Sequence, residues 1–350
     1  MKALRIWFGC SLGLAISMVL GWDFGFLTIL MPLFVLGKID HFHLPAMIMI
    51  FAAAVWTSLQ ITLLWEFFNI YPVILFILVG VAFLINSIAM TNQKTFLIGY
   101  MGLLLGSILL NFSSYTFMDI EELSITIIVA CIANIVICSI AHWLFPEPEG
   151  KPSTEEPKQA APESDSAISR IEGMTQVAMV WSIAMFAFVV FQVFDLYDSA
   201  AANASILIIL APMTCIGILQ MAKIRIIGTA LGCVAGLAVQ LTLGLWFENP
   251  FLYWLLFTIA MGPFCYWQTQ GIAKAALSLS AMAALCVPLT SALAPGESDA
   301  VFSILYRFSS IFIAVILSVL VMLCIQYVFD RTLPKPNISK RTHNVGSNQS

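Results

Sequence analysis

Two prolines, Pro32 and Pro212, interrupt otherwise apolar runs, and a glutamine, Gln60 or Gln240, follows each at the same distance along the chain. A proline within a helix removes a backbone hydrogen bond and frees a carbonyl, which lipid tolerates only where protein or a wet cavity receives it. Paired interruptions at matching places in two halves of a membrane chain point to a binding site near the bilayer midplane. Buried amides need partners, so Gln60, Gln240 and Asn203 are expected to face other helices or a substrate path rather than lipid. Arg225 would either draw an organic anion towards that path or anchor its helix at the cytoplasmic face, and the anchor is the simpler expectation. Gly228, Gly232 and Gly236, four apart, stack on one helix face and predict close packing of a neighbouring helix. No carboxylate lies at the centre of an apolar run. The available proton-relay candidates are Asp23, Asp195 and Asp198, with solvated loop charges as the plainer alternative.

Several kinds of chemistry are excluded. Asp40-His41-Phe42-His43 has too few ligands at too short a spacing for a metal site. No GxxxxGK[ST] loop, GxSxG elbow or HExxH helix occurs, so no catalytic residues, metal or cofactor are expected and the chain does not read as an enzyme. The eight cysteines stand singly within apolar runs and read as small core residues. A net charge of -4 with no basic stripe argues against nucleic acid.

The elements that must position these residues follow from composition. Hydrophobic residues make up 61% and charged residues only 10% of the chain, against roughly a quarter charged in a soluble domain. Hydropathy predicts twelve membrane spans: 3-20, 24-37, 44-65, 71-90, 95-112, 123-145, 174-194, 201-220, 224-246, 250-267, 271-293 and 302-329. Their all-round apolarity excludes the alternation of a membrane β-barrel. The first run lacks a small-x-small cleavage site and reads as a transmembrane helix rather than a cleaved signal. The expected class is therefore an all-α polytopic membrane protein with about twelve transmembrane helices. Residues 1-146 form a first six-helix repeat, 147-172 a disordered Pro- and Glu-rich cytoplasmic linker, 173-334 a second six-helix repeat, and 335-350 a disordered cytoplasmic tail.

With the N-terminus inside, fourteen of the fifteen basic residues fall on the cytoplasmic side, which predicts cytoplasmic termini in a bacterial inner membrane. Shifting the chain by 180 residues places Ile29-Leu30-Met31-Pro32 on Ile209-Leu210-Ala211-Pro212, Gln60 on Gln240 and Asn69 on Asn249. Six spans per half give both repeats the same orientation, so the substrate path is expected where their second helices meet.

The run Ser205 to Pro212 followed by Lys223-Ile-Arg225-Ile-Ile-Gly228-Thr229-Ala-Leu-Gly232, together with the closing helix from Tyr306-Arg307 to Pro334, resembles the fusaric acid resistance (FUSC-like) and aromatic acid exporter family of bacterial inner-membrane proteins. That resemblance implies proton-driven efflux of small, aromatic organic acids or related toxic compounds, alongside a periplasmic membrane-fusion adaptor. The alternative is a non-transporting membrane scaffold that docks such an adaptor or another envelope component. Expected partners are thus the lipid bilayer, an organic acid and an adaptor, with a homo-oligomer left open.

Overall fold

The computed structural model describes residues 1–22, 25–38, 43–93, 95–113, 120–146, 166–194, 200–243, 249–291 and 300–332. Within them the chain is helical: α1 (Lys2–Leu20), α2 (Leu27–Lys38), α3 (Leu44–Phe68), α4 (Pro72–Ala89), α5 (Phe96–Ser113), α6 (Ile120–Leu144), α7 (Ser166–Val193), α8 (Ala200–Ile209), α9 (Cys215–Leu243), α10 (Pro250–Trp267), α11 (Ile272–Ser291) and α12 (Ala300–Thr332). Ten of these, all but α2 and α8, are long and apolar enough to cross a membrane. The chain is a multi-pass α-helical membrane protein.

Helix ends follow local chemistry. Proline opens both α4 and α10, where its missing N–H is an orphan anyway. Ahead of α10 the Asn249 side chain accepts the N–H groups of Phe251 and Leu252 at 3.1 and 3.3 Å. Gly21 closes α1 in the left-handed conformation, its N–H donating to the Ser17 carbonyl.

Two departures from the sequence expectations concern boundaries. Helix α7 starts at Ser166, so residues 166–172, assigned to the linker by composition, are helical. The eighth span, expected as one helix over 201-220, is broken: α8 stops at Ile209 and α9 starts at Cys215. Pro212 lies in the turn between them, and Met213 there has a φ of 56°, a conformation an L side chain seldom adopts. At about 1.5 Å per residue, α2 spans roughly 18 Å and α8 roughly 15 Å, against about 30 Å of hydrocarbon.

In the first half, α3 packs on α4, α5 and α6, while α1 packs on α2 and α6. In the second, α9 packs on α10, α11 and α12, while α7 packs on α8 and α12. The halves meet through α1 with α10, α4 with α7, α2 with α11, and α5 with α8. Three tryptophans cross this seam: Trp7 Nε1–H donates to the Thr258 carbonyl at 2.7 Å and Trp181 Nε1–H to the Gly80 carbonyl at 2.8 Å. Trp254 Nε1–H returns from α10 to the Ser11 carbonyl at 3.0 Å. One continuous apolar core runs through both halves.

Candidate functional site

A buried polar cluster lies where α8 packs on α5 and α9. Arg225 sits ten residues along the 29-residue α9, four short of its midpoint, and is only 4% exposed. It is therefore not the cytoplasmic anchor that its sequence suggested. Burial follows from its neighbours: Ala222, Gly228, Thr229 and Gly232 share the inward face of α9 and turn the guanidinium into the bundle.

Ser205 on α8 takes the near edge of that guanidinium. Its hydroxyl donates to the Ala201 carbonyl at 2.6 Å and accepts from Arg225 Nε and Nη2 at 3.0 and 2.9 Å. Arg225 Nη1 is buried without a hydrogen-bond partner. Thr229 donates to the Arg225 backbone carbonyl at 2.7 Å, and the Tyr100 phenol on α5 lies within electrostatic reach of the cation. Two residues before Ser205, Asn203 exchanges hydrogen bonds with Ser107 of α5 at 3.1 and 3.3 Å, and both side chains are buried.

The electrostatics are one-sided. An arginine stays protonated even when buried, and taking its charge out of water costs several kcal/mol unless an anion compensates. Among the buried described residues there is no carboxylate; the charged side chains are Arg225 and Arg5. One hydroxyl that already donates elsewhere is a weak counterpart for five N–H donors. A planar carboxylate is the group whose two oxygens match the free edge of the fork.

Beside α8 runs a groove of about 280 Å³ between α7 and α12, lined among others by Phe186, Phe191, Ala202, Ile206 and Tyr306. Ala202 and Ile206 are sequence neighbours of Asn203 and Ser205, so this apolar space flanks the same short helix that holds the polar groups.

The remaining sequence candidates do not gather here. Pro32 is buried inside α2 against Gly9 of α1, whereas half-buried Pro212 lies in a turn beside Gly217. Helix α2 packs on α1, α6 and α11, and α8 on α5, α7, α9 and α12, so the two do not pack along one another. The expected cleft between kinked second helices is thus not formed. Nor are these prolines special as a pair, because Pro263 in α10 and Pro288 in α11 also lie inside helices. Gln60 is exposed on α3 and Gln240 is half-buried on α9 with its Oε1 unbonded, and the two helices are not neighbours. Gly228 and Gly232 press on α11: a Cβ on Gly228 would stand 2.6 Å from Ser280 Cβ, and one on Gly232 would strike the Ala281 carbonyl. Gly236 points instead at Ile304 and Leu285 with ordinary spacing. Asp23, Asp195 and Asp198 lie outside the described residues.

Sequence reasoning missed Ser205 and Ser107, because a serine inside an apolar run carries no signal of its own. The cue available was the pairing of Arg225 with a helix too short to span, since only a neighbour's hydroxyl or amide can meet a charge at that depth.

Residues 2–141, running from α1 to within three residues of the end of α6, match a family described as a protein of unknown function (DUF2955). No curated protein and no solved structure matches the chain.

Proposed function

We propose that this chain is a bacterial inner-membrane transporter that exports small organic anions, aromatic acids foremost, as its resemblance to the aromatic acid exporter family implies. The observation that carries the reading is Arg225, a cation buried near the middle of a 29-residue membrane helix, with one guanidinium edge unbonded and no acid among the buried described residues. A substrate carboxylate would complete that site, and the groove between α7, α8 and α12 offers room for an apolar ring beside it. Proton exchange is the coupling we propose, with Asp23, Asp195 and Asp198 as the carboxyls to test, and a periplasmic adaptor as the partner on the outer side.

The same proposal reads the bundle as two six-helix repeats, with both termini cytoplasmic. It is supported by the recurring packing of α1–α6 in α7–α12 and by the reciprocal tryptophans, each from the first helix of one half to the fourth helix of the other. Matching Trp7 with Trp181 and Pro72 with Pro250 requires an offset that varies along the chain, in place of a uniform shift of 180. In that register Phe51, Ala54 and Ser58 correspond to Arg225, Gly228 and Gly232.

The experiment is flux of radiolabelled benzoate or salicylate from liposomes containing the purified protein. Arg225→Met should lower flux at least tenfold at unchanged protein level, because its thioether keeps the packing and loses the charge. Ser205→Asp should abolish flux while the protein folds as well as before, since a built-in carboxylate occupies the guanidinium. Flux that persists in both variants rules the site out. Absence of flux from the wild-type protein would favour the scaffold alternative.

A further inference from the structure

We propose that the chain forms a two-fold homodimer through the α3–α6 face, with Trp56 and Gln60 of one copy against the same residues of the other. Trp56 is the midpoint of α3 and is 58% exposed; Gln60, one turn later on the same face, is exposed as well. Both are within about 6 Å of mid-helix depth. Neither forms a hydrogen bond with a described residue, although the neighbouring Thr62 is bonded to Ser58 and to Ser124 of α6. Hydrocarbon offers neither an acceptor for an indole N–H nor partners for a carboxamide, and tryptophans facing lipid gather at the interfaces rather than at the centre. On α9, the third helix of the other half, Ile227, Leu231 and Val234 are exposed and apolar, with Lys223 exposed one turn before them. The polar pair on α3 therefore marks a protein-covered surface.

A second copy is the occupant whose chemistry fits. A carboxamide carries both donors and an acceptor, and a two-fold axis sets a residue opposite itself, so Gln60 can satisfy Gln60. Between Ile48 and Leu63 on α3, and between Ile128 and Ile135 on α6, no side chain is charged, so two copies meet without repulsion at this depth. A groove of about 320 Å³ between the two helices, lined by Ile48, Phe51, Val55, Leu59 and Ile132 beside Trp56, gives the partner's side chains a place to seat. The Thr62–Ser124 hydrogen bond, 2.7 Å, ties α3 to α6 and makes that surface one platform.

The test is subunit counting by single-molecule photobleaching in liposomes over a range of protein-to-lipid ratios, with disulfide trapping in native membranes. Wild-type protein should be dimeric. Gln60→Leu replaces an amide on the outer face of the single chain with an apolar group and so does not threaten the fold; it should raise the dimer dissociation constant about tenfold, or about 1.4 kcal/mol. In a Cys324→Ser background, Gln60→Cys should yield a band of twice the chain mass and Val234→Cys should not. Monomeric wild-type protein at every ratio, a Gln60→Leu dimer of unchanged stability, or a Gln60→Cys adduct with a protein of different mass would each overturn the proposal.

Discussion

Helices α3 and α9 hold the same place in their halves, each packed on the two helices that close the half, yet they carry polarity on opposite faces. Helix α9 turns Arg225 inward, where Ser205 of α8 receives it, and its outer face through Ile227, Leu231 and Val234 is apolar. Helix α3 buries Phe51, Ala54 and Ile61 and leaves Trp56 and Gln60 outside. Their contacts with the fifth helix of each half differ accordingly. On α9, Gly228 and Gly232 bring its backbone against that of α11, while between α3 and α5 a Cβ on Gly106 would stand 3.5 Å from Ile61 Cδ1, an ordinary contact. The same bundle thus uses one half for a charge in the interior and the other for a surface that lipid does not suit.

If the halves have diverged in this way, a charge moved across should fail. Phe51→Arg places a guanidinium at the α3 position that the proposed register sets against Arg225, 3% exposed and part of the continuous apolar core. The buried described residues hold no carboxylate to pair with it. Leaving a buried charge uncompensated costs about 3 to 5 kcal/mol, so the variant should be lost from the membrane fraction or melt far below wild type when followed by thermal-shift fluorescence. Wild-type stability would mean that α3 has a polar pocket of its own, and the contrast between the halves would disappear.

A smaller effect is expected where the contrast rests on packing. Gly232→Ala drives a methyl into the Ala281 carbonyl and the Ala284 side chain, and backbone cannot yield as a side-chain tip can. Overpacking of this kind costs about 1 to 3 kcal/mol. Gly236→Ala meets only Ile304 Cδ1 at 3.5 Å and Leu285 Cδ1 at 3.8 Å, so it should cost nothing measurable. Equal melting temperatures for the two variants would show that α9 and α11 are not held at the distance seen here.

How much of this was legible beforehand depends on which physical constraint wrote the signal. Lipid demands about 20 apolar residues per crossing, so most helices can be read directly; α10 begins and ends where hydropathy puts it, and α5 is displaced by one residue at each end. The turn after α8 could not be read that way, because Leu210, Ala211, Pro212 and Met213 are all apolar and a break made of such residues looks like a continuing span. Hydropathy also carries no direction. Gln60 and Gln240 resemble one another as amides in apolar runs, yet one faces outward and the other is half-buried, a difference set by neighbours far away in the chain. Arg225 could be recognised as a charge, but its depth depends on α9 starting at Cys215 rather than at residue 224. Ser107 and Asn203 are bonded across 96 residues of separation, which no local pattern records.

The reciprocal tryptophans test the likeness that underlies the contrast. Trp7 and Trp181 each donate from the first helix of a half to a mid-helix carbonyl on the fourth helix of the other, at 2.7 and 2.8 Å. Those carbonyls belong to Thr258 and Gly80, which stand at equal distances from the opening prolines of α10 and α4. Interhelical hydrogen bonds within membranes are worth about 0.6 kcal/mol on average. Trp7→Phe and Trp181→Phe keep most of the aromatic area, so each should lower stability by about that much, and the double variant should show the sum because the two sites share no partner. Unequal losses would indicate that only one seam holds the halves together. An additive, equal pair would mean that these two tryptophans do the same work in both seams, whatever Trp254 adds to the one between α1 and α10.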